Sequence, residues 1–251
     1  MTGHVDRTRP GRAEPEGGPV VEPRPGRAAR LGGVLYLVTF ASSIPAVLLL
    51  APVLDRVGFV TESGSDVRVL VGCLLDVVNA LACVGTAVAL WPVVRRTHPT
   101  LALGFLASRI IEGAVIMIGV VCLLGVVTLR RDVGGAGADP SLVHVARALV
   151  AVRGWTFLLG PGLMPSINAG FLASALHRTA VVPRVIPMLG LVGAPLLLAS
   201  TLVTYFNGNH QIAAVAAVGV APIFLWELSL GLRLAIRGLG EPTNEPALQL
   251  P

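Results

Sequence analysis

Six stretches of almost unbroken apolar residues, separated by short polar breaks, set the pattern of this chain. They run over 31–54, 69–91, 101–129, 148–176, 183–206 and 212–236. Each exceeds the ~20 residues that a helix needs to cross ~30 Å of hydrocarbon. Inside lipid the open-chain solution is helix, because every backbone N–H and C=O must be paired within its own segment. Soluble core helices are rarely this long and apolar on every face. The pattern predicts an all-α, polytopic membrane protein, a bundle of six transmembrane helices.

The breaks carry the polar residues. Segment 55–68 is mixed in charge, with Asp55, Arg56, Glu62, Asp66 and Arg68, and 92–100 holds Pro92, Arg95, Arg96 and His98. The longest, 130–147, contains Gly134, Gly135, Gly137 and Pro140 and reads as a flexible loop. His177 and Arg178 follow the fourth stretch, and Asn207-Gly208-Asn209-His210 is a tight turn. Three regions are expected: a disordered tail over 1–29, a six-helix domain over 30–238 and a disordered C-terminal tail over 239–251. The first tail mixes arginine, acid, proline and glycine with little apolar surface to bury. Charge and proline stand where a signal peptide would place its apolar region, so no signal peptide is expected there.

Composition agrees with this class. Of 251 residues, 54% are hydrophobic and 13% charged, and the mean hydropathy is +0.78. All 19 basic residues are arginine. The absence of lysine excludes a Walker A loop, a Schiff-base lysine and a lysine general base. The net charge of +5 does not point to nucleic acid, because the arginines cluster at the ends of apolar stretches. There they orient helices and meet anionic lipid headgroups, so the bilayer is the expected partner. Arg24, Arg27, Arg30, Arg95, Arg96, Arg178, Arg184, Arg233 and Arg237 fall on the side of the N-terminal tail. Arg56, Arg68, Arg130, Arg131 and Arg147 fall on the other. This excess predicts a cell-membrane protein with both termini in the cytoplasm.

Cys73, Cys83 and Cys122 lie inside apolar runs and read as buried free thiols. No Cys/His spacing marks a metal, and no motif calls for a cofactor. The histidines at 98, 144, 177 and 210 fall in loops or at helix ends, where solvated roles outweigh ligation. Small residues at Ser166, Gly170 and Ser174, and at Gly104 and Ser108, read as faces for close helix packing. Prolines interrupt several spans, and Gly160-Pro161-Gly162 with Pro165 is the interruption best suited to a broken helix beside a substrate.

The candidate chemistry is charge within the spans. A charge at the bilayer centre costs about 2.5–3.5 kcal/mol on insertion scales, so it demands a partner. Arg184 and Arg233 lie near enough to span ends to snorkel. Asp76, Arg109, Glu112, Arg153 and Glu227 lie deeper, and Asn79 adds a second polar step beside Asp76. At ~1.5 Å rise per residue, Arg109 and Glu227 sit ~12 and ~14 Å from one face. Asp76 and Arg153 sit ~10 and ~8 Å from the other. Matched depths predict two pairs, Arg109 with Glu227 and Arg153 with Asp76. Glu112 shares a helix face with Arg109. Either Arg109 bridges Glu112 and Glu227 together, or Glu112 stays protonated near the midplane.

Several short motifs carry a family resemblance: Arg30-Leu31-Gly32-Gly33-Val34-Leu35-Tyr36, the pair Arg109 and Glu112, and Val182-Pro183-Arg184 followed by Leu189-Gly190-Leu191-Val192-Gly193. Trp226-Glu227-Leu228-Ser229-Leu230-Gly231-Leu232 completes the set. Together they resemble a bacterial multi-pass group known as domain of unknown function 4386, over roughly Arg30 to Gly238. The resemblance implies about six helices and an integral membrane location, and it brings no activity, ligand or catalytic residue.

Two functions remain open. One is a small carrier or permease-like protein with Asp76, Arg109, Glu112 and Glu227 along a polar path. The other is a non-transporting scaffold or sensor in which the same charges lock the bundle. A protein partner and a small solute are both left open. An enzyme is not expected: there is no His-Glu-x-x-His, no Gly-x-Ser-x-Gly, and one intramembrane Asp where a paired-aspartate mechanism needs two.

Overall fold

The computed structural model of the chain describes residues 25–55, 66–133, 141–209 and 213–239. Seven α-helices span Pro25–Asp55 (α1), Asp66–Val94 (α2), Pro99–Val133 (α3), Ser141–Phe157 (α4), Met164–Thr179 (α5), Val185–Phe206 (α6) and Ala213–Arg237 (α7). A π-helical stretch, Leu158–Leu163, joins α4 to α5. Helix α4, the π stretch and α5 therefore make one apolar rod, Ser141–Thr179, and among the described residues the rods long and apolar enough to cross a membrane number six.

Sidedness of the residues is that of a membrane protein. Leu48, Leu81, Val121 and Phe206 face outward, between 64% and 83% exposed, whereas Asp76, Arg109, Glu112 and Arg153 are at most 5% exposed. Lipid accepts the aliphatic outside, and the charges are retained inside, where helices supply partners. Edge-on contacts of Trp155 with Tyr205 and of Tyr205 with Phe206 gather aromatics at one end of α6, in the position of an interfacial belt.

The spans close into a ring. Helix α1 packs on α2 and α7, α2 on α3, α3 on α4 and α5, α5 on α6, and α6 on α7. The α1–α7 seam works through glycines. A Cβ on Gly33 would meet the backbone N of Ala235 and the Leu234 Cβ at 2.7 Å, and one on Gly231 would meet the Tyr36 Cβ at 3.0 Å. Only hydrogen side chains allow these backbones to approach so closely. Phe40 and Phe224 extend the seam with a T-shaped contact at 5.1 Å. Around it lies one apolar core that includes Tyr36, Leu90, Phe105, Leu172, Trp226 and Leu230. A second core, with Leu50, Cys73, Ile116, Leu123 and Val126, fills the other end between α1, α2, α3 and α4.

Several boundaries differ from the sequence reading. Helix α1 begins at Pro25, so residues 25–29, expected in the tail, are helical, with Ala28 and Ala29 buried. Proline starts a helix well, since its missing N–H would have had no partner there. The rest of that tail and residues 240–251 lie outside the described residues. The expected loop 130–147 is helical at both ends, and 134–140 lies outside the described residues. Asp66 pairs with Arg130 and Arg131 at 3.1 Å each, which ties the start of α2 to the end of α3. The expected small face on α5 is corrected at Gly170. A Cβ on Gly170 would meet nothing within 4 Å, so that glycine mediates no close approach. Gly104 does: Phe171 lies 2.6 Å from where its Cβ would be.

Candidate functional site

Arg109 is the centre of the interior. It projects from the first third of α3 and is 2% exposed. Nη1 donates to Glu112 Oε2 at 3.0 Å, one helical turn along, and Nη2 donates to Glu227 Oε1 on α7 at 3.0 Å. Of the two arrangements left open for Glu112, the geometry is the one in which Arg109 bridges both carboxylates. Glu112 Oε2 also accepts from Asn168 Nδ2 on α5 at 2.6 Å. The guanidinium lies 4.9 Å from the ring centre of Tyr36 on α1 and 5.8 Å from that of Phe105, close enough for the ring faces to stabilise a desolvated cation. Cys83 of α2 accepts from Nη1 at 3.5 Å, so side chains from five spans meet in the cluster around Arg109.

Asp76 and Arg153 form a separate site toward the other end of the bundle. Arg153 Nη2 donates to Asp76 Oδ2 at 2.7 Å, and both side chains are almost fully buried. Gly119 on α3 makes the room, since a Cβ there would stand 2.8 Å from Arg153 Cδ. Phe157 covers the guanidinium at 5.2 Å. Arg153 Nε and Nη1 have no hydrogen-bond partner among the described residues, so this pair is held there by one strong contact and an aromatic lid.

Asn79 sits between the two sites. It lies one turn beyond Asp76 on α2, and the Cys83 thiol approaches its Oδ1 at 4.0 Å. A thin polar line, Asn79–Cys83–Arg109, therefore runs from the Arg109 centre to within one helical turn of Asp76. The single cluster of Asp76, Asn79, Arg109, Glu112, Arg153 and Glu227 resolves into a three-residue centre, a two-residue pair and a linking amide. The pairs matched by depth are the ones that meet. Asn168, Tyr36 and Cys83 were not among the sequence candidates. Asn168 left a signal, an amide inside an apolar span, which the small residues around it obscured.

A cavity of about 320 Å³ opens beside this line. Its walls include Ser43 and Leu48 of α1, Asp76 and Asn79 of α2, and Phe157 and Pro161 at the π stretch. That volume is at the lower end of the ~300–1,000 Å³ typical of small-molecule sites. Pro161 cannot donate a backbone hydrogen bond, and a π stretch commonly marks a functional position. On the π stretch, the Gly162 carbonyl is satisfied from outside its own helix, accepting from Thr201 Oγ1 of α6 at 3.0 Å. Glu112 does not line the cavity.

Cys73 and Cys83 are buried free thiols and Cys122 is half-buried. Among the described residues, no three His, Cys, Asp or Glu side chains gather as a metal site would require. No curated protein and no solved structure matches the chain. The family model described as a domain of unknown function (DUF4386) matches residues 31–238, the stretch that holds all of the six spans but the first five residues of the first, and every residue of both charged sites. With that coverage, this multi-pass membrane protein belongs to the DUF4386 family.

Proposed function

We propose that the chain is a small carrier of the permease type, with its solute site in the cavity between α1, α2 and the π stretch. The observation that carries the reading is the cavity itself: about 320 Å³, open on the flank of α1 where Ile44, Val47 and Leu48 are exposed, and lined further in by a carboxylate, an amide and a hydroxyl at Asp76, Asn79 and Ser43. The π stretch supports the same reading, because an interrupted helix beside a polar cavity can shift without breaking a regular ladder. Arginine distribution favours the cell membrane with both termini cytoplasmic and the flanking arginines against anionic headgroups. The reading is non-enzymatic, in line with the absence of the hydrolase and metalloprotease motifs from the sequence.

Water access tests it. In a cysteine-free background, Ser43→Cys is exposed to a membrane-impermeant maleimide in vesicles of each orientation. Labelling from one side is expected. A thiol that reacts only after denaturation would sink the carrier reading.

The runner-up is a non-transporting scaffold or sensor. It is favoured by Glu112, which is held by both Arg109 and Asn168 and lies away from the cavity. On that reading the Arg109 centre only locks α3, α5 and α7 together.

A further inference from the structure

We propose that Arg109, Glu112 and Glu227 form a proton-binding site that holds one exchangeable proton between its two carboxylates. The geometry begins with an imbalance of charge. One guanidinium contacts two carboxylates, each at 3.0 Å, and all three side chains are 13% exposed or less. Two negative groups against one positive leave a surplus of one in a medium where an unbalanced ion costs several kcal/mol.

The neighbours do not correct it. Helix α1 faces the site with the Tyr36 phenol and α2 with the Cys83 thiol. The α5 partner, Asn168, is a neutral amide, and the only ionisable side chain on α6 is Tyr205, which stacks on Trp155 and Phe206 at the helix end. Asp76 and Arg153 balance each other in their own contact. A metal cation has no prepared set of ligands among the described residues. A proton needs none: it forms an O–H bond on one carboxylate oxygen, taken from hydronium with release of water. Glu112 Oε1 and Glu227 Oε2 lie outside the hydrogen bonds that hold their carboxylates.

The two acids are not equivalent. Glu112 is anchored by Asn168 and 5% exposed, while Glu227 is 13% exposed and held by Arg109 alone. Exchange with the outside therefore runs through Glu227, and Glu112 sets the charge that makes the proton necessary. None of this depends on the cavity or on a transported solute.

Infrared spectroscopy of the purified full chain in lipid nanodiscs reads the site directly. At neutral pH the wild type is expected to show the carbonyl stretch of one buried carboxylic acid, shifted in deuterium oxide. Glu112→Gln and Glu227→Gln should each abolish it, because either change leaves one carboxylate balanced by Arg109. Asp66→Asn, at the start of α2, should keep it. No such band in the wild type would overturn the proposal without need of any variant. So would a band surviving in either glutamine variant, or one that appears only when sodium is replaced by choline.

Discussion

Arg109 and Glu227 stand 118 positions apart in sequence and 3.0 Å apart in the bundle. Their helices, α3 and α7, are not neighbours in the packed ring. The contact is therefore a strut across the interior, made by side chains where backbones do not touch. With Glu112 and Asn168 it ties α3, α5 and α7 to one point. Removing one partner of a buried ion pair costs about 3–5 kcal/mol, because the other is left uncompensated. Arg109→Met leaves the ionised carboxylate of the centre without its cation and should lower stability by about that, measured by unfolding in mixed micelles. Adding Glu112→Gln and Glu227→Gln to Arg109→Met should recover most of the loss. No recovery would mean that Arg109 acts through packing alone.

The same centre makes a charge swap uneven. Arg109→Glu with Glu227→Arg restores the α3–α7 pair but places a glutamate one turn from Glu112. The double variant should be more stable than either single change, yet less stable than the wild type. Adding Glu112→Gln should narrow the gap. A double variant no better than both singles would refute the strut.

The glycine seam gives a contrast within one residue type. Gly33→Ala forces a methyl against the Ala235 backbone and Leu234. Overpacking of this kind costs about 1–3 kcal/mol. Gly170→Ala meets open space and removes a poor helix former, so it should be neutral or stabilising by up to ~1 kcal/mol. Equal effects of the two changes in thermal unfolding would contradict the α1–α7 seam.

At the π stretch, Thr201→Val removes the hydroxyl that donates to the Gly162 carbonyl. The expected loss is about 1 kcal/mol, in the range of interhelical hydrogen bonds within membranes. Thr201→Ser should retain the wild-type midpoint within about 0.5 kcal/mol. If valine is as stable as serine, the carbonyl has another partner.

Much of this protein is legible in one dimension. The six apolar runs set the class and the number of spans, because the width of hydrocarbon is a length requirement on consecutive residues. The pairs Arg109–Glu227 and Arg153–Asp76 follow from depth, since an ion in lipid needs its partner at its own level. What packing alone decided lies around the helix axes: that Asn168 turns toward Glu112 while Gly170, two residues on, faces open space; that Gly33 makes the close α1–α7 seam; and that six candidate residues divide into two sites. Residue spacing along a helix determines relative azimuth but not which neighbour stands there. That choice belongs to the closure of the ring, where glycine contacts, bulky side chains such as Phe171 and Trp226, and the π stretch at Gly160-Pro161-Gly162 are satisfied together.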